Sequence, residues 1–154
     1  MKISFVLLVI IFTSLNISPQ EKYFGTGLYL VTDSDSCLGK NENYSLEYLS
    51  EKFCLGQNPV ISIADFDSII VATAKFDKEN IFSLNIKLSE SATKKFEEIT
   101  SKNIGKKLAL VINNEVIIAP IIRVKINSGL ISVEDDELII NELEKELNKE
   151  MKKL

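Results

Sequence analysis

The sequence contains no histidine. That single absence removes Ser–His–Asp triads, histidine acid–base pairs and most zinc and iron sites. Only six glycines and three prolines occur in 154 residues, which rules out long flexible linkers and collagen-like segments. Cysteine is limited to Cys37 and Cys54, and with no CxxC pair to accompany them, no metal and no cofactor is expected. Eighteen basic side chains against twenty-two acidic ones leave a formal charge of −4. This is the wrong sign for a nucleic-acid binder that relies on bulk charge. What remains is 45% apolar and 26% charged, the balance of a packed soluble core, at about one domain's length.

Residues 1–18 read as a signal peptide. Lys2 supplies the positive start, and residues 3–12 form an apolar stretch with one Ser. That stretch is too short for about 30 Å of hydrocarbon, which needs roughly 20 residues. Thr13, Ser14, Asn16 and Ser18 suit a cleavage region, with cleavage after Asn16 or Ser18; an uncleaved anchor is the alternative. The chain is therefore expected to be exported to the periplasm or the extracellular space, with no membrane span after cleavage. It has no polybasic patch to hold it on anionic lipid. In an oxidising compartment Cys37 and Cys54 read as one disulfide. The loop so closed is about 16 residues, worth about 3 kcal/mol in the chain-entropy model. Two free thiols in a redox role are the alternative.

Beyond the leader, residues 19–58 are expected to be an N-terminal extension carrying this loop, and residues 59–154 the main domain. Gly27–Thr32 is a compact apolar, β-branched run, hence a strand. Leu46, Leu49 and Phe53 recur at near-helical spacing and predict a helical turn. Residues 60–63 and 68–75 predict strands; 82–88 does so by the period-two alternation of Phe82, Leu84, Ile86 and Leu88. Ser89 makes an N-cap for a helix with Ala92, Phe96 and Ile99 on one face, and Gly105 can adopt the left-handed conformation that ends it. Leu108–Ile112 is continuously apolar and predicts a buried strand. Asn113–Asn114 turns the chain into a hairpin partner at 116–119, and Pro120 marks a strand end or sheet edge. Residues 122–126 and 130–133 predict short strands. A last helix, capped at Asp135 or a neighbour, carries the stripe Ile140, Leu143, Leu147, Met151 and Leu154, with acids at its start and lysines at its end. The class is α+β: a mixed, mainly antiparallel sheet with two main helices.

One string is distinctive. Phe96, Thr100, Asn103, Gly105 and Lys106 lead into Leu108, Ala109, Val111 and Asn113, followed by Ala119–Pro120 and Gly129. This resembles the periplasmic P1 head subdomain of the protein-export membrane proteins SecD and SecDF, from about Phe82 to Gly129 and in outline from Val60 through the last helix. The fold signature is Phe96, Thr100, Asn103, Gly105, Ala109, Ala119, Pro120 and Gly129. The resemblance implies a SecDF P1 head-like fold that contacts unfolded chains. Two departures stand out: Ser91 occupies a position where the family usually has Gly, and the segment after Ile131 lacks its usual Gly and aromatic. The proton-coupled membrane helices of the export proteins have no counterpart here, so that activity is not carried over.

Other constellations are weak. Asp33 and Asp35 begin a calcium-loop spacing that Cys37 and Tyr44 break. Asp65 and Asp67 flank Phe66 either as a strand-end turn or as a carboxylate pair of the kind glycosidases use. No G-x-S-x-G occurs, so the chain is expected not to be an enzyme. The leading expectation is a protein-binding module that takes a protein or an unfolded polypeptide along Ile117, Ile118, Pro120, Ile121 and Ile122. Ile122→Asp is expected to weaken capture without unfolding the domain. The alternative is a small secreted inhibitor or immunity-type protein that recognises one folded partner through the loop 37–54.

Overall fold

The computed structural model describes residues 23–32, 45–48 and 51–154. The expected signal segment, Cys37 and the Asp33–Asp35 turn lie outside the described residues. In chain order the elements are β1 (Gly27–Thr32), β2 (Ser45–Tyr48), β3 (Glu51–Leu55), β4 (Ile61–Ser62), a 3-10 turn (Ile63–Asp65), β5 (Phe66–Phe76), β6 (Glu79–Leu88), α1 (Glu90–Lys102), β7 (Leu108–Ile112), β8 (Glu115–Ile118), β9 (Leu130–Asp135) and α2 (Glu137–Met151). Two antiparallel sheets result, one ordered β2-β3-β1-β7-β8 with β4 also against β1, the other β5-β6-β9.

All five side chains of β7 are buried, because the strand separates two cores. Leu108, Leu110 and Ile112 face the larger core, where they meet Leu84, Ile86 and Leu88 of β6, Ile131 and Val133 of β9, Phe96 of α1, and Ile140 and Leu147 of α2. Ala109 and Val111 face the smaller one, with Phe24, Tyr29, Phe53, Leu55 and Val116. Phe24 and Tyr29 meet edge to face at 5.6 Å between ring centres, a geometry that the ring quadrupoles favour. The first sheet curls around this second core, so that β2 and β8 at its two ends come within 8 Å of one another, Cα to Cα.

The extension expected at 19–58 contributes directly to this sheet. β1 pairs with β7 in the register Leu28↔Leu110 and with β3 in the register Thr32↔Cys54, so strands from both sides of residue 58 share one sheet. Three expectations about local elements change. In place of a helical turn at 46–53, β2 and β3 form a hairpin in which Leu46 and Phe53 are cross-strand partners. Residues 122–126 are not a strand, because their backbone bonds go to α1 and its following loop. Leu154 lies past the end of α2 and is exposed, so the stripe ends at Met151.

Local chemistry explains the rest. The Ser89 hydroxyl accepts the Ala92 amide at 3.3 Å and starts α1. Asn113 and Asn114 both take positive φ, 47° and 70°, as a two-residue hairpin turn requires. Gly129 has φ 60°, and a Cβ there would run into the Thr93 side chain. Gly129→Ala is expected to cost about 2 kcal/mol, from left-handed strain and overpacking together. Thr93→Ala in the same chain should recover only the packing part; urea denaturation of the single and double variants measures both.

Candidate functional site

The segment 119–126 crosses the molecule between β8 and β9 and is pinned at both ends. At its start, the Pro120 carbonyl accepts the Leu108 amide at 2.9 Å, the Ile122 amide donates to the Lys106 carbonyl at 2.8 Å, and the Gly105 amide donates to the Ile122 carbonyl at 2.8 Å. Gly105 reaches that position with φ 89°. At its end, the fully buried Thr100 hydroxyl donates to the Phe96 carbonyl at 2.9 Å and accepts the Ile126 amide at 3.0 Å. Lys125 adds an exposed ion pair to Glu97 at 2.8 Å, worth little by itself. Asn103 ends α1 by donating to the Ile99 carbonyl and accepting the Lys106 amide.

Between this segment and β9 lies an apolar groove of about 320 Å³. Leu28, Phe96, Leu108, Leu110, Ile122 and Ile131, all core side chains, form its base. Its rim carries Ile121, Val124 and Leu130, which are 46%, 63% and 46% exposed. Of the expected contact residues, Ile118, Pro120, Ile121 and Ile122 line the groove together. Ile117 lines a different depression. Ile122 is only 4% exposed, so Ile122→Asp would bury a charge and disrupt the core; it cannot serve as the silent surface change the sequence suggested. Val124 and Leu130 were missed. Leu130 reaches the rim only through tertiary packing, and no local spacing announces it.

The second depression, about 420 Å³, has Val116, Ile117, Ile139 and Leu143 beside Glu115, Asp135, Glu142 and Glu146. Asn113 donates its side-chain amide to Glu146 and accepts the Tyr23 hydroxyl. Burial, then the charges of Glu150 and Glu146, push the Tyr23 phenol above its ordinary range. No group of carboxylates or thiols among the described residues is arranged to hold a metal ion. Asp65 and Asp67 have separate local partners: the Asp65 carboxylate accepts the Ser62 amide at 2.8 Å and its hydroxyl at 3.1 Å, and Asp67 faces Lys87 at 3.6 Å.

The model of the SecDF P1 head subdomain matches residues 45–148, about two-thirds of the chain. The chain belongs to that family. The matched span starts at Ser45, upstream of Val60, where the sequence resemblance begins in outline. Among its relatives, the protein translocase subunit SecDF of Thermus thermophilus is 37% identical over 76 residues, covering 49% of this chain and 10% of the relative. The protein translocase subunit SecD of Aquifex aeolicus is 35% identical over 77 residues, covering 50% and 15%. The chain therefore spans a small part of the curated relatives it matches. Two solved SecDF structures share the fold. One, described as a membrane component that enhances protein export, has a TM-score of 0.60 at 21% identity, covering 82% of this chain and 63% of that one. The other, SecDF in its super-membrane-facing form, has a TM-score of 0.57 at 23% identity, covering 79% and 18%. No helix among the described residues of this head is long and apolar enough to cross a membrane.

Thr100, Gly105 and Pro120, which the sequence resemblance put in the expected fold signature, hold the groove wall. Thr100→Val keeps the shape but leaves the Ile126 amide without its acceptor, at an expected cost of about 1–3 kcal/mol. Native-state hydrogen exchange should show protection lost first at Ile126, ahead of β7.

Proposed function

We propose that the chain is an exported, non-enzymatic module of the periplasm that binds unfolded polypeptide in the groove between residues 118–126 and β9. The observation that carries this reading is the exposure of Ile121, Val124 and Leu130 around one opening whose base is closed core. Exposed large apolar side chains grouped at a concavity mark interaction sites more often than scattered ones do. An apolar slot of this kind accepts side chains without demanding a sequence, which suits an unfolded client. Membership in a family whose relatives are translocase subunits supports the same reading. The engagement of Asp65 with Ser62 and of Asp67 with Lys87 supports a non-catalytic role for the carboxylate pair that resembles a glycosidase's.

The test is binding of a fluorescent, permanently unfolded polypeptide to the chain and its variants. Ile121→Asp and Val124→Asp, at exposed positions, should each weaken binding about tenfold, or about 1.4 kcal/mol, without moving the urea midpoint. Unchanged affinity in both variants would remove the groove from consideration.

The reading includes a Cys37–Cys54 disulfide, in keeping with export. Cys54 is buried in β3, at a register position between Thr32 of β1 and Ser45 of β2. Reduction is expected to lower stability by about 3 kcal/mol while leaving groove binding intact, read by denaturation and anisotropy with and without reductant. Loss of all binding on reduction would instead place recognition in the loop 37–54, as an inhibitor would use it.

A further inference from the structure

β9 has an open side along the groove. Among the described residues it pairs with β6 alone, and the segment 119–126 opposite gives its backbone bonds to α1, the loop after it and the start of β7. The phase of the ladder decides which groups are left over. The Leu88 amide donates to the Gly129 carbonyl at 2.8 Å, and the register runs on through Lys87↔Leu130, Ile86↔Ile131 and Asn85↔Ser132. Hydrogen-bonded pairs alternate along an antiparallel ladder. Ile131 and Val133 therefore bond to β6, while Leu130 and Ser132 turn their amides and carbonyls away from it. Both of these residues line the groove. The Leu130 amide donates to the Ser128 hydroxyl at 3.4 Å, and the Ser132 hydroxyl donates to the Asn85 side chain at 2.9 Å. What they hold out is main chain: the Leu130 carbonyl and the Ser132 amide and carbonyl. Glu134 and Asp135 guard the end of the strand, as charges on an edge do, so the open stretch is short.

Building on the groove reading above, we propose that the groove takes its client as a short extended strand added to β9, with a carboxylate of that client seated on Arg123. A lipid tail would fill the apolar base and leave the main-chain groups of Leu130 and Ser132 unmatched. An extended polypeptide matches them and still sends every second side chain into the base. Charge complementarity sets the rest of its chemistry. Arg123 is the sole arginine in the sequence, it is exposed, and among the described residues it is the one charged side chain lining the groove. Among those residues it has neither an ion pair nor a hydrogen bond. Lys125, two positions on, is already paired with Glu97. A guanidinium holds a carboxylate through two parallel bonds, which an ammonium cannot do. The favoured client segment is thus apolar at alternate positions and carries an Asp or Glu.

Fluorescence anisotropy of short labelled peptides with the full chain is the test. The parent peptide alternates valine and serine and carries one central glutamate. Methylating the backbone amides of its valines, or instead those of its serines, keeps every side chain and removes the donors along one edge. Only one edge can face β9, so one methylated peptide should bind at least about tenfold more weakly than the other. Exchanging the glutamate for glutamine should weaken binding about three- to fivefold, the scale of an exposed ion pair, and lysine should weaken it further. Arg123→Gln should erase the difference between the glutamate and glutamine peptides, and Arg123→Lys should keep part of it. Equal affinities for the two methylated peptides overturn the strand addition, and equal affinities for the glutamate, glutamine and lysine peptides overturn the role of Arg123. In either case, parent binding that Ile121→Asp weakens leaves the groove reading standing. Parent binding that Ile121→Asp leaves unchanged overturns the groove reading and the strand addition together.

Discussion

The fold depends on β7 being apolar on both sides. A strand in a one-core protein alternates buried and exposed residues, and a slip of one position would exchange its faces. Here either face of Leu108–Ile112 is buried, at about 1.5–3 kcal/mol for each large side chain removed from water. Alternation therefore cannot specify register, and size does so instead. Ala109 is fully buried in the small aromatic-rich core, while Leu108, Leu110 and Ile112 fill the large one. A one-residue slip would drive leucines against Phe24, Tyr29 and Phe53 and leave voids against α1 and α2. Overpacking on one side and cavities on the other both cost stability.

From that partition follows the groove. β7 anchors the segment 119–126 through the Leu108 amide, and α1 anchors it through Thr100. Neither anchor is a strand ladder, so the segment keeps its place without continuing a sheet. Its buried side, Ile122, joins the large core, while Ile121 and Val124 turn outward. The result is a rigid base under an exposed apolar rim. Preorganisation of this kind lowers the ordering cost that association otherwise carries.

Much of this was legible in the sequence, for identifiable reasons. β6, α1, β7 and the 113–114 turn were readable because each announces itself through period, cap or positive-φ residues within a few positions. The β2–β3 hairpin was not. Leu46, Leu49 and Phe53 satisfy a helical spacing, yet Leu46 and Phe53 stand opposite one another in the β2–β3 ladder, and three residues cannot separate the two patterns. Residues 122–126 misled for the opposite reason, since their apolar run reflects contact with a core below rather than pairing alongside. Four of the five expected contact residues meet in the groove and the fifth does not, because Ile117 lines the depression beside α2, an element about 20 residues further on that no local pattern places there.

The signature string acquires a physical meaning in this light. Phe96, Thr100, Gly105, Pro120 and Gly129 differ in chemistry. They share a geometric task instead. Phe96 fills the base, Thr100, Gly105 and Pro120 hold one wall by hydrogen bonds, and Gly129 lets the chain turn tightly over Thr93 into β9, the other wall. Any substitution among them moves a wall before it touches a ligand. A surface built this way tolerates variation on the rim, where Ile121, Val124 and Leu130 could be exchanged for other apolar residues, and little beneath it. That asymmetry fits a site whose shape matters more than the identity of any contacting group.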